Sequence, residues 1–563
     1  MVSRLIIRLV LLFWLLPATA MADDLKPSQA AIASAHPLAT QAGMEVLKQG
    51  GNAFDAAVAV TSTLAVVEPY SSGLGGGGFY LLHEAAAERD VMLDARETAP
   101  ASAKQSQYLD ASGELDRDIS INSAYAAGIP GIPAALDKLA ADYGKLPLKQ
   151  TLAAAISYAR EGFAVTERYR KLARYRLEVM RRHPRTAATF LQNNEVPEAG
   201  YRIVQPQLAE TLATIAVGGS QVFYHGQLAE RIVRGVNEHG GEWSLEDLAD
   251  YEVIERQPII TTYDDTTLVS ASLPSSGGIV LGQALNILEH FDLAAMDEVT
   301  RKHVIVEAMR RAYRDRAAYL GDSDYVDVPV DRLLNKDYAA GLAVDIDVDK
   351  ATDSDTMPPF NSQQGMGEDT THFSIIDTQG NRVSATLSIN LPFGNTMMAA
   401  DTGVLLNNEL DDFALQPMEP NAYGLIGDQA NAIAAGKRPL SSMSPTFVET
   451  DDKIAILGTP GGSRIISMVL LGILEFIDGD LPQGWVSAPR YHHQYMPDVI
   501  QYEPGALSVS LMDQLRAMGH EFKDVGRHYG NMQAIFWYRP TNGVFAASDP
   551  RGEGSADTKA LAP

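Results

Sequence analysis

The chain contains no cysteine. Disulfides, a thiolate nucleophile and a thiolate metal site are therefore excluded, and the fold must hold by packing alone even in an oxidising compartment. Positive charge is scarce: 45 Lys and Arg stand against 71 Asp and Glu, a formal net charge of −26. A surface of that sign repels phosphate backbones and anionic lipid, which argues against nucleic-acid and membrane-surface partners. Long hydrophobic runs are missing too. The apolar run at residues 9–16, broken by Pro17, is shorter than the roughly 20 residues a membrane span needs. There is no G-x-x-x-x-G-K-[ST], no H-E-x-x-H and no G-x-S-x-G, so the common signatures of nucleotide, zincin and serine-hydrolase chemistry do not apply.

What is present is a long chain, 563 residues and 46% hydrophobic. It can bury a sizeable core and exceeds a single ordinary one, so two domains or one large multilayer α/β unit is expected. At the start, Arg4 and Arg8 flank the apolar run, and Ala18-Thr19-Ala20 and Ala20-Met21-Ala22 both fit a small-x-small cleavage site. Residues 1–22 read as a secretory signal peptide. The sequence reads as bacterial, so the expected destination is the periplasm, with no membrane attachment after signal removal.

Residues 38–67 read as two helices. The first stops at Gly50-Gly51, and the second opens with Asn52 as N-cap and Asp55 three positions on. Residues 145–183 read as helical with a basic, solvated face, and residues 300–320 as an amphipathic helix. Residues 352–369 are polar and aperiodic, an exposed loop of the kind that is readily cut. After it, residues 371–377 alternate, residues 378–381 form a turn and residues 382–390 make a second strand, a β-hairpin signal. A strand at residues 453–457 runs into Gly458-Thr459-Pro460-Gly461-Gly462, and a helix follows from Ser463 to Ile477. The C-terminal third is strand-rich and the N-terminal part helix-rich.

Two patterns invite over-reading. Gly73 to Gly78 satisfies G-x-G-x-x-G, but a helix precedes it and Phe79-Tyr80-Leu81-Leu82 reads as a strand after it, the reverse of the dinucleotide-binding order. His492 and His493 are adjacent, and neighbours on a strand point to opposite faces, so a structural role outweighs a metal pair. No metal and no cofactor is expected.

That leaves Asp369-Thr370-Thr371-His372-Phe373-Ser374, between loop and strand. If the Asp369–Thr370 bond breaks, Thr370 gains a free α-amine beside its own hydroxyl. An α-amine titrates near 7.7–8.0, so a useful fraction is neutral and can act as base for that hydroxyl. On this hexapeptide alone, an ordinary strand of Thr and Ser remains the better reading.

The surrounding motifs change that balance. Gly50-Gly51-Asn52-Ala53-Phe54-Asp55-Ala56-Ala57, Ser72 to Phe79, Asp94-Ala95-Arg96-Glu97, Thr370-Thr371-His372-Phe373-Ser374, Leu406 to Phe413, Arg438 to Pro445 and Gly458 to Arg464 follow one another in family order and at family spacing. Nearly end to end, the chain resembles the γ-glutamyltranspeptidase family. The resemblance implies an α/β (α+β) fold, the N-terminal-nucleophile hydrolase four-layer αββα sandwich, built jointly from a large piece (residues 23–369) and a small one (residues 370–563) that separate covalently at Asp369–Thr370 and stay together as a heterodimer.

The resemblance also implies residue roles. Thr370 is the nucleophile, and Ser388 matches a position, more often Thr, that hydrogen-bonds its amine. Gly461 and Gly462 match the oxyanion hole, and here the physics agrees, since N–H groups converge between a strand and a helix N-terminus. Arg96 matches the arginine that forks onto the substrate's α-carboxylate, and Ser441 and Ser442 the pair that binds the same end. Asp412 and Glu409 match the α-ammonium acceptors; many bacterial members carry Gln in place of Glu409. Asn390 matches a position on the second hairpin strand, and residues 417–436, with Tyr423, a lid loop. The implied activity is autoprocessing followed by cleavage of γ-glutamyl amides such as glutathione, with the acyl group passed to water or to amino-acid or dipeptide acceptors. Two other readings stand beside it: a glutaryl (cephalosporin) acylase of the same family, and a non-catalytic periplasmic protein that binds γ-glutamyl compounds.

Overall fold

Asn52 begins the longest fully buried helix of the N-terminal half, Ala53–Val67. Its side-chain oxygen accepts the N–H groups of Phe54 and Asp55 at 3.0 and 2.9 Å, and Asp55 returns the bond to the Asn52 N–H at 2.9 Å. This reciprocal cap satisfies donors that the first helical turn leaves orphaned. The helix before it, Pro37–Lys48, is capped by His36 Nδ1, a cap the sequence reading did not anticipate.

The computed structural model describes residues 25–357, 370–417 and 419–561. The expected signal peptide and Asp369 lie outside the described residues.

The expected hairpin forms. Thr371–Ile376 pairs antiparallel with Arg382–Ser388, and Gly380, at φ +94°, closes the turn. The pair lies at the centre of a seven-stranded sheet in the order Ser555–Lys559, Ala30–Ser34, Thr371–Ile376, Arg382–Ser388, Gly77–Glu84, Arg89–Ala95, Ile254–Arg256. A six-stranded sheet runs Gly543–Ser548, Gln533–Tyr538, Lys453–Gly458, Thr446–Glu449, Thr266–Ser270, Ile259–Tyr263. Both sheets draw strands from both sides of Thr370.

The two sheets face each other. Ala31, Ala33, Leu81 and Ile376 of the first pack against Phe447, Ile456 and Trp537 of the second. Between them, Ser374 Oγ donates to the carbonyls of Ile456 and Gln533, and Ser384 Oγ to that of Leu457. The outer face of the first sheet is covered by Ala53–Val67 and its neighbours, that of the second by Gly277–Leu288, Glu298–Tyr319 and Ile465–Ile477. The result is the expected αββα sandwich, with strands shared between the halves and not segregated to the C-terminal third.

Residues 145–183 are helical as expected, in three pieces, Leu148–Thr151, Ala153–Glu161 and Glu167–Arg181, the last two separated at Gly162, whose φ of +86° no helix accommodates. One expectation about helices needs correction. The helix Glu298–Tyr319 is not amphipathic in the expected sense. Glu307, Arg310, Arg311, Asp315 and Arg316 are buried. They persist because each has partners: Arg310 and Arg311 both reach Glu307, Asp315 accepts from Gln283 at 2.7 Å, and Arg316 donates to the hydroxyls of Ser276 and Ser442. His492 and His493 are also buried, with hydrogen bonds to Ser467 and Gln494 and to Asp498. Among the described residues, no helix is long and apolar enough to cross a membrane.

Candidate active site

The hairpin register decides what Thr370 meets. Leu387 pairs with Thr371, so one residue further Ser388 stands opposite Thr370, their hydroxyl oxygens 3.5 Å apart. Ser388 Oγ accepts the Asn390 N–H at 2.8 Å. Asn390 can turn there because it adopts a left-handed backbone, φ +69°, a conformation asparagine tolerates better than most residues. Next along the first strand, Thr371 Oγ1 donates to Glu68 Oε2 at 2.8 Å, fixing the strand's start to the end of the helix Ala53–Val67.

Thr370, Ser388, Asn390, Glu409, Asp412, Tyr423, Ser441, Ser442 and Gly462 line one narrow cleft. Its lining carries two kinds of polar group. Asn390 Oδ1 and Glu409 Oε2 are buried acceptors without a hydrogen-bond partner among the described residues. Opposite in character are the serines. Ser441 Oγ accepts the Met443 N–H at 3.1 Å, and Ser442 Oγ accepts Arg316 Nη2 at 3.2 Å, which leaves each hydroxyl hydrogen to donate into the cleft. Arg316, which sequence reasoning passed over, is buried and also donates to Ser276 Oγ at 3.0 Å. Its signal was a basic residue among apolar ones in a helix, a pattern that ordinarily marks a solvated face.

Arg96 does not line the cleft. It is fully buried behind it, donating to the Pro439 carbonyl, to Glu409, and to Asp412 Oδ2 at 2.6 Å. Burial alone would lower its pKa, but the Glu409 and Asp412 charges outweigh that and raise it. Burial also pushes Glu409 and Asp412 above the usual carboxylate range, against the pull of Arg96. Burial, and after it the Glu409 charge, push the carboxyl of Glu97, 3.7 Å from the Arg96 guanidinium, well above the usual carboxylate range. Arg96 thus organises the acidic wall of the cleft; a ligand carboxylate would reach it only by displacing that wall.

Gly461 and Gly462 follow the strand Lys453–Gly458 and open the short turn Gly462–Arg464, from which Ile465–Ile477 continues as a helix. Both have positive φ, +142° and +57°, and neither N–H has an acceptor among the described residues. Successive free N–H groups at a helix N-terminus form an anion-binding concavity. Gly462 lines the cleft; Gly461 is its neighbour just outside. A side chain at Gly462 would lie 2.1 Å from the Tyr423 ring. That ring belongs to the expected lid segment and is fixed by Tyr423 Oη donating to the Asn390 carbonyl at 2.7 Å. Asn421 Nδ2 donates to Asp412 Oδ1 at 2.8 Å and Asn431 Nδ2 to the Asp412 carbonyl at 2.7 Å, so the segment closes one side of the cleft.

Comparison with known proteins gives a consistent picture. The family model described as Gamma-glutamyltranspeptidase matches residues 39–558. The chain is similar to the glutathione hydrolase proenzyme of Escherichia coli strain K12, 40% identical over 531 residues, 93% of this chain and 91% of that one. It is 35% identical to the glutathione hydrolase proenzyme of Bacillus subtilis strain 168, over 90% and 87% of the two chains. Among solved structures it resembles a cephalosporin acylase from Bacillus halodurans (TM-score 0.83, 30% identity, 94% and 96% covered) and the γ-glutamyltranspeptidase of Helicobacter pylori (TM-score 0.56, 39% identity, 58% and 94% covered).

Proposed function

This chain belongs to the gamma-glutamyltranspeptidase family, and from that premise we propose that it is an autoprocessing γ-glutamyl hydrolase and transpeptidase with Thr370 as nucleophile. The observation that supports it most is the lining of the cleft: unpartnered acceptors at Asn390 Oδ1 and Glu409 Oε2, donor hydroxyls at Ser441 and Ser442, and Thr370 and Gly462 in the same wall. A γ-glutamyl end has an α-ammonium for the first group, aided by Asp412, and an α-carboxylate for the second, with the Arg316 charge behind it.

In the precursor, Thr370 Oγ attacks the Asp369 carbonyl. The peptide C–N bond breaks as the ester forms, and water then opens the ester, leaving an Asp369 carboxylate and a free Thr370 amine. Because both sheets mix strands from either side of Thr370, the large and small pieces stay joined as a heterodimer. In the mature enzyme the amine takes the hydroxyl proton as Oγ attacks the γ-carbonyl. The developing oxyanion is met by the Gly461 and Gly462 N–H groups, donors often worth about 3–4 kcal/mol each. The leaving amine departs with the proton, and the acyl group passes to water or to an amino-acid or dipeptide acceptor. Secretion to the periplasm through residues 1–22 completes the reading.

A glutaryl acylase is the nearest competitor, given the likeness to a cephalosporin acylase. A glutaryl group has no ammonium, so it would leave Asn390 Oδ1 and Glu409 Oε2 buried and unpaired, at about 1–3 kcal/mol each. Two measurements test the proposal. Thr370→Ala should run as one unsplit band on a denaturing gel; two bands would rule out Thr370 as the cleaving residue. The parent should hydrolyse a γ-glutamyl anilide well ahead of a glutaryl anilide, and the opposite preference would establish the acylase.

A further inference from the structure

Three carboxyls meet one guanidinium behind the cleft. Arg96 Nη1 donates to Glu409 Oε1 and lies 3.7 Å from Glu97 Oε2, and Arg96 Nη2 donates to Asp412 Oδ2 at 2.6 Å. Arg96, Glu97 and Glu409 are buried. The other charges nearby have their own partners: Arg438 pairs with Asp94, Arg117 with Asp411, and Arg316 reaches Ser442 and favours the charged form of Asp412. Full charge on all three carboxyls would outweigh the one cation among them in a dry place, so the cluster retains protons. Burial raises Glu409 from 4.5 to about 7 against the pull of Arg96, and burial with the Glu409 charge pushes Glu97 well above the usual carboxylate range. Both oxygens of Asp412 already accept, from Arg96 and from Asn421 at 2.8 Å. On Glu409, Arg96 holds Oε1, and Oε2 has no hydrogen-bond partner among the described residues. A proton on Glu409 therefore sits on Oε2. Protonated, that oxygen is a donor; ionised, it is an acceptor. An α-ammonium only donates, so it fits the ionised form and opposes the protonated one.

We propose that the cleft takes a γ-glutamyl end only with Glu409 ionised, so that the arriving α-ammonium displaces a proton from Glu409 Oε2 to solvent and affinity falls as pH drops below neutrality. The proposal rests on the γ-glutamyl reading above and adds proton linkage to it. In acid the empty site holds a proton that the filled site does not. Lowering the pH then favours the empty site, by about tenfold in affinity per pH unit well below 7. A glutaryl end has no ammonium and draws no proton out. Discrimination between the two ends is thus greatest in mild alkali and fades in acid. The Thr370 amine left by cleavage also titrates in this cleft, but it faces both ends alike, and comparing them removes its effect.

The test is isothermal titration of the processed enzyme with L-glutamate, the hydrolysis product, and with glutarate, in two buffers of different ionisation enthalpy. L-glutamate should release about 0.9 proton more than glutarate at about pH 6, and about 0.1 more at about pH 8. Glu409→Gln supplies a second baseline, binding L-glutamate without that release. Glu97→Gln, which removes a carboxyl that does not line the cleft, should release as the parent does. A parent with no excess release at about pH 6 overturns the proposal and leaves the γ-glutamyl reading standing. So does a release that survives Glu409→Gln or vanishes in Glu97→Gln. A parent that binds glutarate and refuses L-glutamate overturns both.

Discussion

Ser388 stands directly across the hairpin from Thr370, hydroxyl oxygen to hydroxyl oxygen at 3.5 Å, and its own oxygen is oriented by the Asn390 N–H at 2.8 Å. A hydroxyl held in that place can steady the nucleophile and its freed amine. Ser388→Ala should therefore lower kcat about 100-fold, the lower range for a positioned proton-handling group, with little change in KM. Ser388→Thr keeps the hydroxyl with a stiffer χ1 and should keep most of the activity. Steady-state kinetics on a γ-glutamyl anilide reads both, and an alanine variant with parental kcat would remove Ser388 from the mechanism.

Among the described residues, Arg96 is the one cation in direct contact with both Glu409 and Asp412. Replacing it with Met leaves two buried carboxylates uncompensated, which should cost about 3–5 kcal/mol of stability. Since burial raises both carboxylates, they take up protons readily once the arginine is gone, and the loss should shrink in acid. Urea unfolding of parent and variant at about pH 8 and about pH 5 checks this; equal losses at both would show that the carboxylates stay charged without Arg96.

Gly462 combines a left-handed φ of +57° with a wall, the Tyr423 ring, 2.1 Å from where a Cβ would sit. Gly462→Ala should displace an oxyanion donor and lower kcat about 100-fold. Gly462→Ala with Tyr423→Ala relieves the clash but not the backbone strain, so only part of the rate should return. Full recovery would mean that the ring contact, and not the backbone, sets the cost.

His372 is fully buried between the sheets, with Nδ1 bonded to Thr386 Oγ1 at 2.8 Å, and burial lowers its pKa from 6.5 to about 3. Between these values the unfolded chain holds a proton that the folded chain does not. The histidine's contribution is therefore complete above 6.5 and falls as pH drops, by about 1.4 kcal/mol per pH unit. Against His372→Gln, the parent should lose relative stability on going from about pH 7 to about pH 5. Chemical denaturation at the two values measures it, and a pH-independent difference would contradict the burial argument.

The sequence made some parts of this molecule legible because they depend on local rules. The Asn52–Asp55 cap, the Gly380 turn and the strand–glycine–helix passage around Gly461 are settled by residues within a few positions of one another, and they form as read. Where local and distant demands conflict, the reading was incomplete or wrong. Residues 145–183 have helical composition, but Gly162 breaks them so that Phe163 and Ala164 can pair with Arg202 and Ile203. The charges of Glu298–Tyr319 suggest solvent, yet the partners that permit their burial come from several separate segments.

The same division holds at the site. The sequence alone determined that Thr370 follows a polar, aperiodic segment and stands at the start of a hairpin strand; Ser388 entered only through the family resemblance, and the register of the folded hairpin puts it opposite Thr370. The motifs also named most of the other residues, but only as a set. Tertiary structure decided how they are arranged: Ser441 and Ser442 backed by Arg316, and Arg96 drawn behind the cleft by Glu409 and Asp412. The reason is physical. Desolvation and charge pairing act between groups far apart in the chain, and their outcome depends on which of them the packed sheets and helices bring within a few ångströms of each other.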